Sequence, residues 1–191
     1  MYEIELKAHV QDSKDVESKL KSFAQFVGES QKKDTYWKKT IFSQSTSKEV
    51  QIRLRQEKHS RGDNPTSVVA TYKRKNINAA QDGTKFEVNE EFEFAIDSRH
   101  SFEEFLKDAG FSVFRTKEKN ASQWKAEEVF IELCNVPPLG DFLEMEILSE
   151  DKDAATVAAA NDKFLRLLEL CDIPKEAVEP RYYNEMLAQQ D

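Results

Sequence analysis

Only five glycines, at positions 28, 62, 83, 110 and 140, occur among the 191 residues. None falls into G-x-G-x-x-G or G-x-x-x-x-G-K, so a dinucleotide-binding turn and a P-loop are both excluded. A phosphate ligand would have to be met by side-chain cations. Cysteine is equally scarce: Cys134 and Cys171 stand far apart without C-x-x-C spacing, which argues against a disulfide framework and a structural zinc site. Three scattered histidines, His9, His59 and His100, cannot build a histidine-rich metal centre, so any metal must rest on carboxylates. No apolar run approaches the roughly 18 residues of a membrane helix, and Met1-Tyr2-Glu3-Ile4-Glu5 lacks the basic start of a signal peptide. The chain reads as soluble and cytoplasmic, without a membrane partner. With 28 Lys+Arg against 36 Asp+Glu, the net charge of -8 removes the long-range attraction that accompanies nucleic-acid binding, so no nucleic-acid partner is expected.

Bulky apolar residues are plentiful. Thirteen Phe, five Tyr and two Trp supply enough mass for a core in a chain of this length. Repeats and low-complexity tracts are lacking, so a single domain over residues 1–191 is the expectation, with the polar stretches 56–66 and 76–85 as loops.

Period-two alternation dominates. Tyr2, Ile4, Leu6 and Ala8 share one face of a first strand, with Glu3, Glu5 and Lys7 on the other. A helix should follow, capped by Asp12 or Ser13, carrying Val16, Leu20, Phe23 and Val27 on one stripe and stopped by Gly28. Further strands are expected at Val50–Arg55, Val68–Lys75 and Phe86–Ala95. Ser101-Phe102-Glu103-Glu104 has the pattern of a capping box opening a helix that ends at Gly110. Strands return at Phe114–Lys119, Trp124–Leu133 and Phe142–Ile147, and helices close the chain at about 154–171 and 181–189. Many strands with few helices make the fold class α+β.

A solvated strand face is ordinarily polar, so no single charged face is informative. Together, however, the faces sort by sign. Glu3/Glu5, Glu91/Glu93 and Glu144/Glu146 are carboxylate pairs; Arg53/Arg55 and Lys117/Lys119 are cationic pairs, joined by Lys7 and Lys73. If an antiparallel sheet closes into a barrel with these faces inward, its interior holds both signs and cannot be dry. Hard cations such as Mg²⁺ or Mn²⁺ suit the carboxylates, and phosphate oxygens suit Arg and Lys. A metal–polyphosphate complex satisfies both sets.

The motifs also resemble a known family. Glu3-x-Glu5-x-Lys7 is similar to the E-x-E-x-K signature of the CYTH superfamily, which contains class IV adenylyl cyclases and thiamine triphosphatases. The resemblance continues through Asp34-Thr35-Tyr36-Trp37, Ile52-Arg53-Leu54-Arg55, Thr71-Tyr72-Lys73, Glu90-Glu91-Phe92-Glu93, Gly110-Phe111, Lys117-x-Lys119 and Leu139-Gly140-Asp141-Phe142-Leu143-Glu144-Met145-Glu146. It implies an eight-stranded antiparallel barrel, or tunnel, holding a triphosphate and a divalent metal, with helices outside. It further implies that Glu3, Glu5, Glu144 and Glu146 are metal-side carboxylates. Lys7, Arg53, Arg55, Lys73, Arg115, Lys117 and Lys119 would then be phosphate-side cations, and Glu91 and Glu93 supporting groups.

Two departures stand out. The family's L-D-x-V reads Leu133-Cys134-Asn135-Val136, placing Cys134 where an acidic residue is expected, and the Arg of K-x-R is Lys119. Cys134 either supports the site or fills space as a buried hydrophobe. The resemblance implies a metal-dependent enzyme on a nucleoside triphosphate or other triphosphate, first a class IV adenylyl cyclase making cyclic AMP and pyrophosphate. The alternatives are a thiamine or inorganic triphosphatase and a noncatalytic triphosphate-binding module. No residue is identified as general base, and a homodimer stays open.

Overall fold

The alternation of the first segment becomes strand β1 (Tyr2–Val10), whose Ile4, Leu6 and Ala8 are buried on one side. The computed structural model describes residues 2–42, 47–60, 66–79, 85–151 and 153–190, with side chains undescribed at 66, 73–79 and 85–91. Helix α1 (Ser13–Phe23) is followed by β2 (Gln25–Phe42), β3 (Ser47–His59), β4 (Thr66–Ala79) and β5 (Lys85–Ala95). Helix α2 (Arg99–Asp108) precedes β6 (Ser112–Ala126), β7 (Val129–Val136) and β8 (Gly140–Ser149), and helices α3 (Ala154–Leu170) and α4 (Tyr183–Ala188) end the order. The eight strands pair antiparallel in the cyclic order β1-β5-β4-β3-β2-β6-β7-β8, and β8 returns to β1 from Tyr2↔Ser149 to Val10↔Asp141. The α+β barrel expected from the sorted faces is therefore the fold.

Outward-facing apolar residues find helices. Ile4, Leu6 and Ala8 of β1 and Leu143 and Met145 of β8 pack in one cluster with Val16 and Leu20 of α1 and Val157, Phe164 and Leu168 of α3. On the opposite side Trp37, Leu54 and Ala70 pack with Leu106 of α2, and Ile52 joins them. A third cluster lies inside the barrel. Ala121, Cys134 and Phe142 share the inward faces of β6, β7 and β8, and Met186 of α4 packs among them with Tyr183 alongside. Helix α4 thereby closes one end of the tunnel with apolar side chains.

Four boundaries differ from expectation. Helix α1, capped by the Asp12 carboxylate on the Lys14 and Asp15 amides, stops at Phe23, and Ala24 is already extended. Val27 and Gly28 belong to β2 instead, where the register skips between Phe26 and Gly28 against β6. The long strand captures these residues because Phe26 meets Trp124 edge-on, with ring centroids 5.0 Å apart. Ser98, not Ser101, caps α2, accepting the Ser101 amide. Gly110 does end that helix: at φ +82° it lets Phe111 donate to the Leu106 carbonyl and Gly110 to Lys107, a closing geometry for which glycine is suited. The expected strand Trp124–Leu133 is broken by a turn at Glu127 and Glu128, with Glu127 in the left-handed region at φ 53°. Finally, the expected loops are shorter, since residues 56–59, 66, 76–79 and 85 lie in strands.

Candidate active site in the tunnel

Because side chains alternate along each strand, burying Ile4, Ile52 and Met145 outward obliges their neighbours to point inward. Glu3, Glu5 and Lys7 of β1, and Arg53 and Arg55 of β3, line one open cavity of about 1120 Å³, its solvent-filled mouth included. Lys117 and Lys119 of β6 and Glu144 and Glu146 of β8 line the same cavity. These nine predicted residues, spread over positions 3 to 146 of the sequence, therefore meet.

The remaining predicted residues fall differently. Arg115 has the inward register of Lys117, opposite Tyr36, but does not reach the cavity wall. Glu93 accepts hydrogen bonds from Arg53 Nη2 at 3.3 Å and Thr71 Oγ1 at 2.7 Å, so it supports a cation. Lys73 and Glu91 are cross-strand partners in the β4–β5 ladder; their side chains lie outside the described residues.

Glu132 of β7 was not anticipated, yet it is the hub of the charge network. Lys32 Nζ donates to its Oε1 at 2.5 Å, Lys119 Nζ to its Oε2 at 2.5 Å, and Gln123 Nε2 to Oε1 at 2.9 Å. Lys119 also donates to Glu144 Oε2 at 2.6 Å. The register places Glu132 directly beside Glu144, and Lys32 beside Lys119, so each like-charged pair is bridged by the opposite sign. Burial pushes the Glu144 carboxyl up, but Lys119 beside it holds it down to about 2. Glu132 is likewise held well below the usual carboxylate range, its burial outweighed by Lys119 and Lys32. Burial, with Lys119 alongside, lowers the Lys32 ammonium. The charged forms of Glu132, Glu144 and Lys119 are thus favoured, while Lys32 is the member whose charge burial disfavours.

Asp34 is a second unassigned member, although its motif was visible in the sequence. Its side chain is completely buried, accepts Arg55 Nε at 2.8 Å and Nη2 at 3.0 Å, and stands 3.2 Å from Lys117 Nζ. Burial alone would raise its carboxyl, but Arg55 and Lys117 hold it well below the usual range. Asp34 thus fixes two cavity cations from behind, in the bidentate geometry that a carboxylate offers a guanidinium.

Cys134 points inward but sits in the apolar cluster at the closed end. Its Sγ lies 3.9 Å from Glu144 Oε1 and 3.8 Å from the Tyr183 hydroxyl. Burial, followed by the Glu144 charge, pushes the thiol up to about 12. A site so hostile to an anion predicts that Cys134→Asp lowers stability by about 2–4 kcal/mol, through a second buried carboxylate facing Glu144. Urea unfolding at neutral pH checks this, and an equally stable variant would show that Lys119 absorbs the new charge.

The donor set suits a hard cation. Glu5 and Glu146 are direct cross-strand neighbours, so their carboxylates are placed on adjacent strands where one divalent ion would reach both. Among the described residues no three His, Cys, Asp or Glu form a ready-made cage. Hard ions such as Mg²⁺ take one or two carboxylates and complete their shell with water and phosphate oxygens.

Three comparisons bear on this geometry. Residues 1–183 match the sequence model of the CYTH domain family. The PH1819 protein of Pyrococcus horikoshii OT3 superposes with a TM-score of 0.78 at 23% identity, covering 99% of each chain. A candidate adenylate cyclase from Vibrio parahaemolyticus gives 0.67 at 18% identity over 98% of each chain. HpAC1 from Hippeastrum, a candidate adenylyl cyclase with a dominant triphosphatase activity, gives a TM-score of 0.59 at 15% identity, covering 100% of this chain and 96% of that one. No curated protein matches the chain. Among the described residues no helix is long and apolar enough to cross a membrane.

Proposed function

The chain belongs to the CYTH family, and we propose that its tunnel binds a nucleoside triphosphate with Mg²⁺ or Mn²⁺ and cleaves it in the manner of a class IV adenylyl cyclase. The observation that carries this reading is the meeting of Glu3, Glu5, Glu144 and Glu146 with Lys7, Arg53, Arg55, Lys117 and Lys119 in one cavity. Arg53 and Arg55 present guanidinium charge suited to phosphate oxygens, Arg55 with its Nε and Nη2 held by Asp34, and the lysines present point charges. Glu3, Glu5 and Glu146 would hold the metal, with Glu144 shared between metal and Lys119. A bound divalent ion would neutralise phosphate charge and align the chain for in-line displacement. In the cyclase reaction the ribose 3′-oxygen bonds to the α-phosphorus and the bond to the β-phosphate oxygen breaks. Pyrophosphate leaves and the hydroxyl proton passes to water. Lys117, Lys119 and the arginines would stabilise the charge that gathers on the leaving phosphates.

The Hippeastrum neighbour favours a second reading, in which water attacks the terminal phosphorus of a triphosphate and orthophosphate is released. The two readings share the binding residues and differ in product. Incubation with ATP, thiamine triphosphate and tripolyphosphate, each with Mg²⁺ and with Mn²⁺, separates them: cyclic AMP with pyrophosphate marks the first, orthophosphate the second. Binding without any product would identify a noncatalytic module.

The metal assignment has its own test. Glu5→Gln keeps shape and removes one charge of the Glu5/Glu146 pair, so the affinity for Mn²⁺ should fall by about tenfold, the equivalent of ~1.4 kcal/mol. Calorimetric titration of both proteins measures it, and unchanged affinity would remove Glu5 from the metal side.

A further inference from the structure

The C-terminal segment enters the tunnel from its closed end. Glu179 binds the Arg181 guanidinium at 2.8 and 2.5 Å and is itself approached by His9 Nε2 at 3.1 Å. The Glu179 amide donates to the Lys7 carbonyl at 2.7 Å, and Lys7 Nζ donates to the Arg181 carbonyl at 2.6 Å. The strap so fastened to β1 delivers Tyr183 to the cavity wall. Its ring meets Phe142 edge-on, with centroids 5.1 Å apart and planes at 86°, which sets its orientation. Lys7 Nζ lies 4.8 Å from the ring centroid and Lys117 Nζ lies 4.6 Å from it.

Two ammonium groups from β1 and β6 thus meet one aromatic ring. An aromatic face carries the negative part of its quadrupole and attracts a cation within about 6 Å. The Tyr183 ring is therefore a contact shared by both lysines, in addition to the Asp34 carboxylate that lies 3.2 Å from Lys117 Nζ and the Arg181 carbonyl that accepts from Lys7.

We propose that Tyr183 is a positioning residue whose ring orients both Lys7 and Lys117 for phosphate oxygens, so that the C-terminal segment completes the anion site. This rests on the triphosphate reading of the tunnel. Docking of the segment and binding of the ligand then reinforce each other through the same two lysines, and the segment supplies the closed end against which a phosphate chain stops.

The test measures tripolyphosphate affinity of the complete chain by calorimetry, in a double-mutant cycle between Tyr183 and Lys7. Tyr183→Phe keeps the ring and should bind within about twofold of the unmodified chain. Tyr183→Leu removes the face and should bind about tenfold more weakly. In a Lys7→Ala background the same Leu substitution should cost clearly less, because one of the two cations it orients is gone. Tyr183→Met, without a ring but with a flexible side chain that can fill the space, provides the same comparison if the Leu variant is poorly folded. Full affinity in a ringless variant overturns the proposal, as does an undiminished Leu penalty in the Lys7→Ala background, which would mark a packing role. Failure of the unmodified chain to bind tripolyphosphate would instead overturn the tunnel reading, and this proposal with it.

Discussion

Replacing Glu132 by Gln should lower the unfolding free energy by about 3–5 kcal/mol, the range for removing one partner from a buried charge network. The substitution preserves shape, so the effect is electrostatic: Lys32 and Lys119, both buried and adjacent across the β2–β6 ladder, lose the carboxylate that separates their charges. Lys119 retains Glu144, whereas Lys32 is left with Glu57 at 3.5 Å. Urea denaturation measures the loss. Glu17→Gln, which breaks an exposed pair with Lys21 on α1, is the control and should be indistinguishable from the unmodified chain. A Glu132 variant as stable as that control would show that water screens the network.

Acid should unfold the protein through the same residues. Asp34, Glu132 and Glu144 have folded-state pKa values held below their ordinary ones by Arg55, Lys117, Lys119 and Lys32 in spite of burial. A depressed carboxyl contributes stability that is present above its unfolded value and is lost as pH falls through the folded one. For Glu144 that window runs from 4.5 down to about 2 and is worth about 3 kcal/mol. Melting temperature should therefore fall steeply between about pH 5 and pH 2, and Glu132→Gln should flatten this limb by removing one of the three titrating groups. A melting temperature that stays level from pH 6 to pH 3 would contradict the assignment.

Strands whose two faces differ in polarity were legible before any coordinates. In β1, β3 and β8 an apolar face packs under helices while Glu or Arg fills the other, so alternation located both the strand and its contribution to the cavity. The same logic fails for β2. Lys32 and Asp34 face inward, and Gln31 and Lys33 face water, so charge occurs on both sides and no period emerges. The longest strand was missed, and Lys32 and Asp34 with it. Glu132 escaped for a related reason: it is a single acid flanked by Ile131 and Leu133, without the Glu-x-Glu pairing that drew notice elsewhere. Tyr183 reaches the cavity only through the path of the C-terminal strap, which no local pattern encodes.

Closure of the ring has a consequence for how the polypeptide assembles. Every strand pairs on both sides, and the seam joins the first strand to the last. Pairings between neighbours in the chain, such as β2 with β3, can form as soon as both have been synthesised, but the seam waits for β8. Contacts of such wide sequence separation slow folding, because loop-closure entropy must be met before they stabilise anything. Until then β1 and β8 present unpaired amide and carbonyl groups, the template on which chains associate. Glu5 and Glu146 face each other across this seam. The acidic side of the cavity is therefore completed by the same event that seals the last sticky edge.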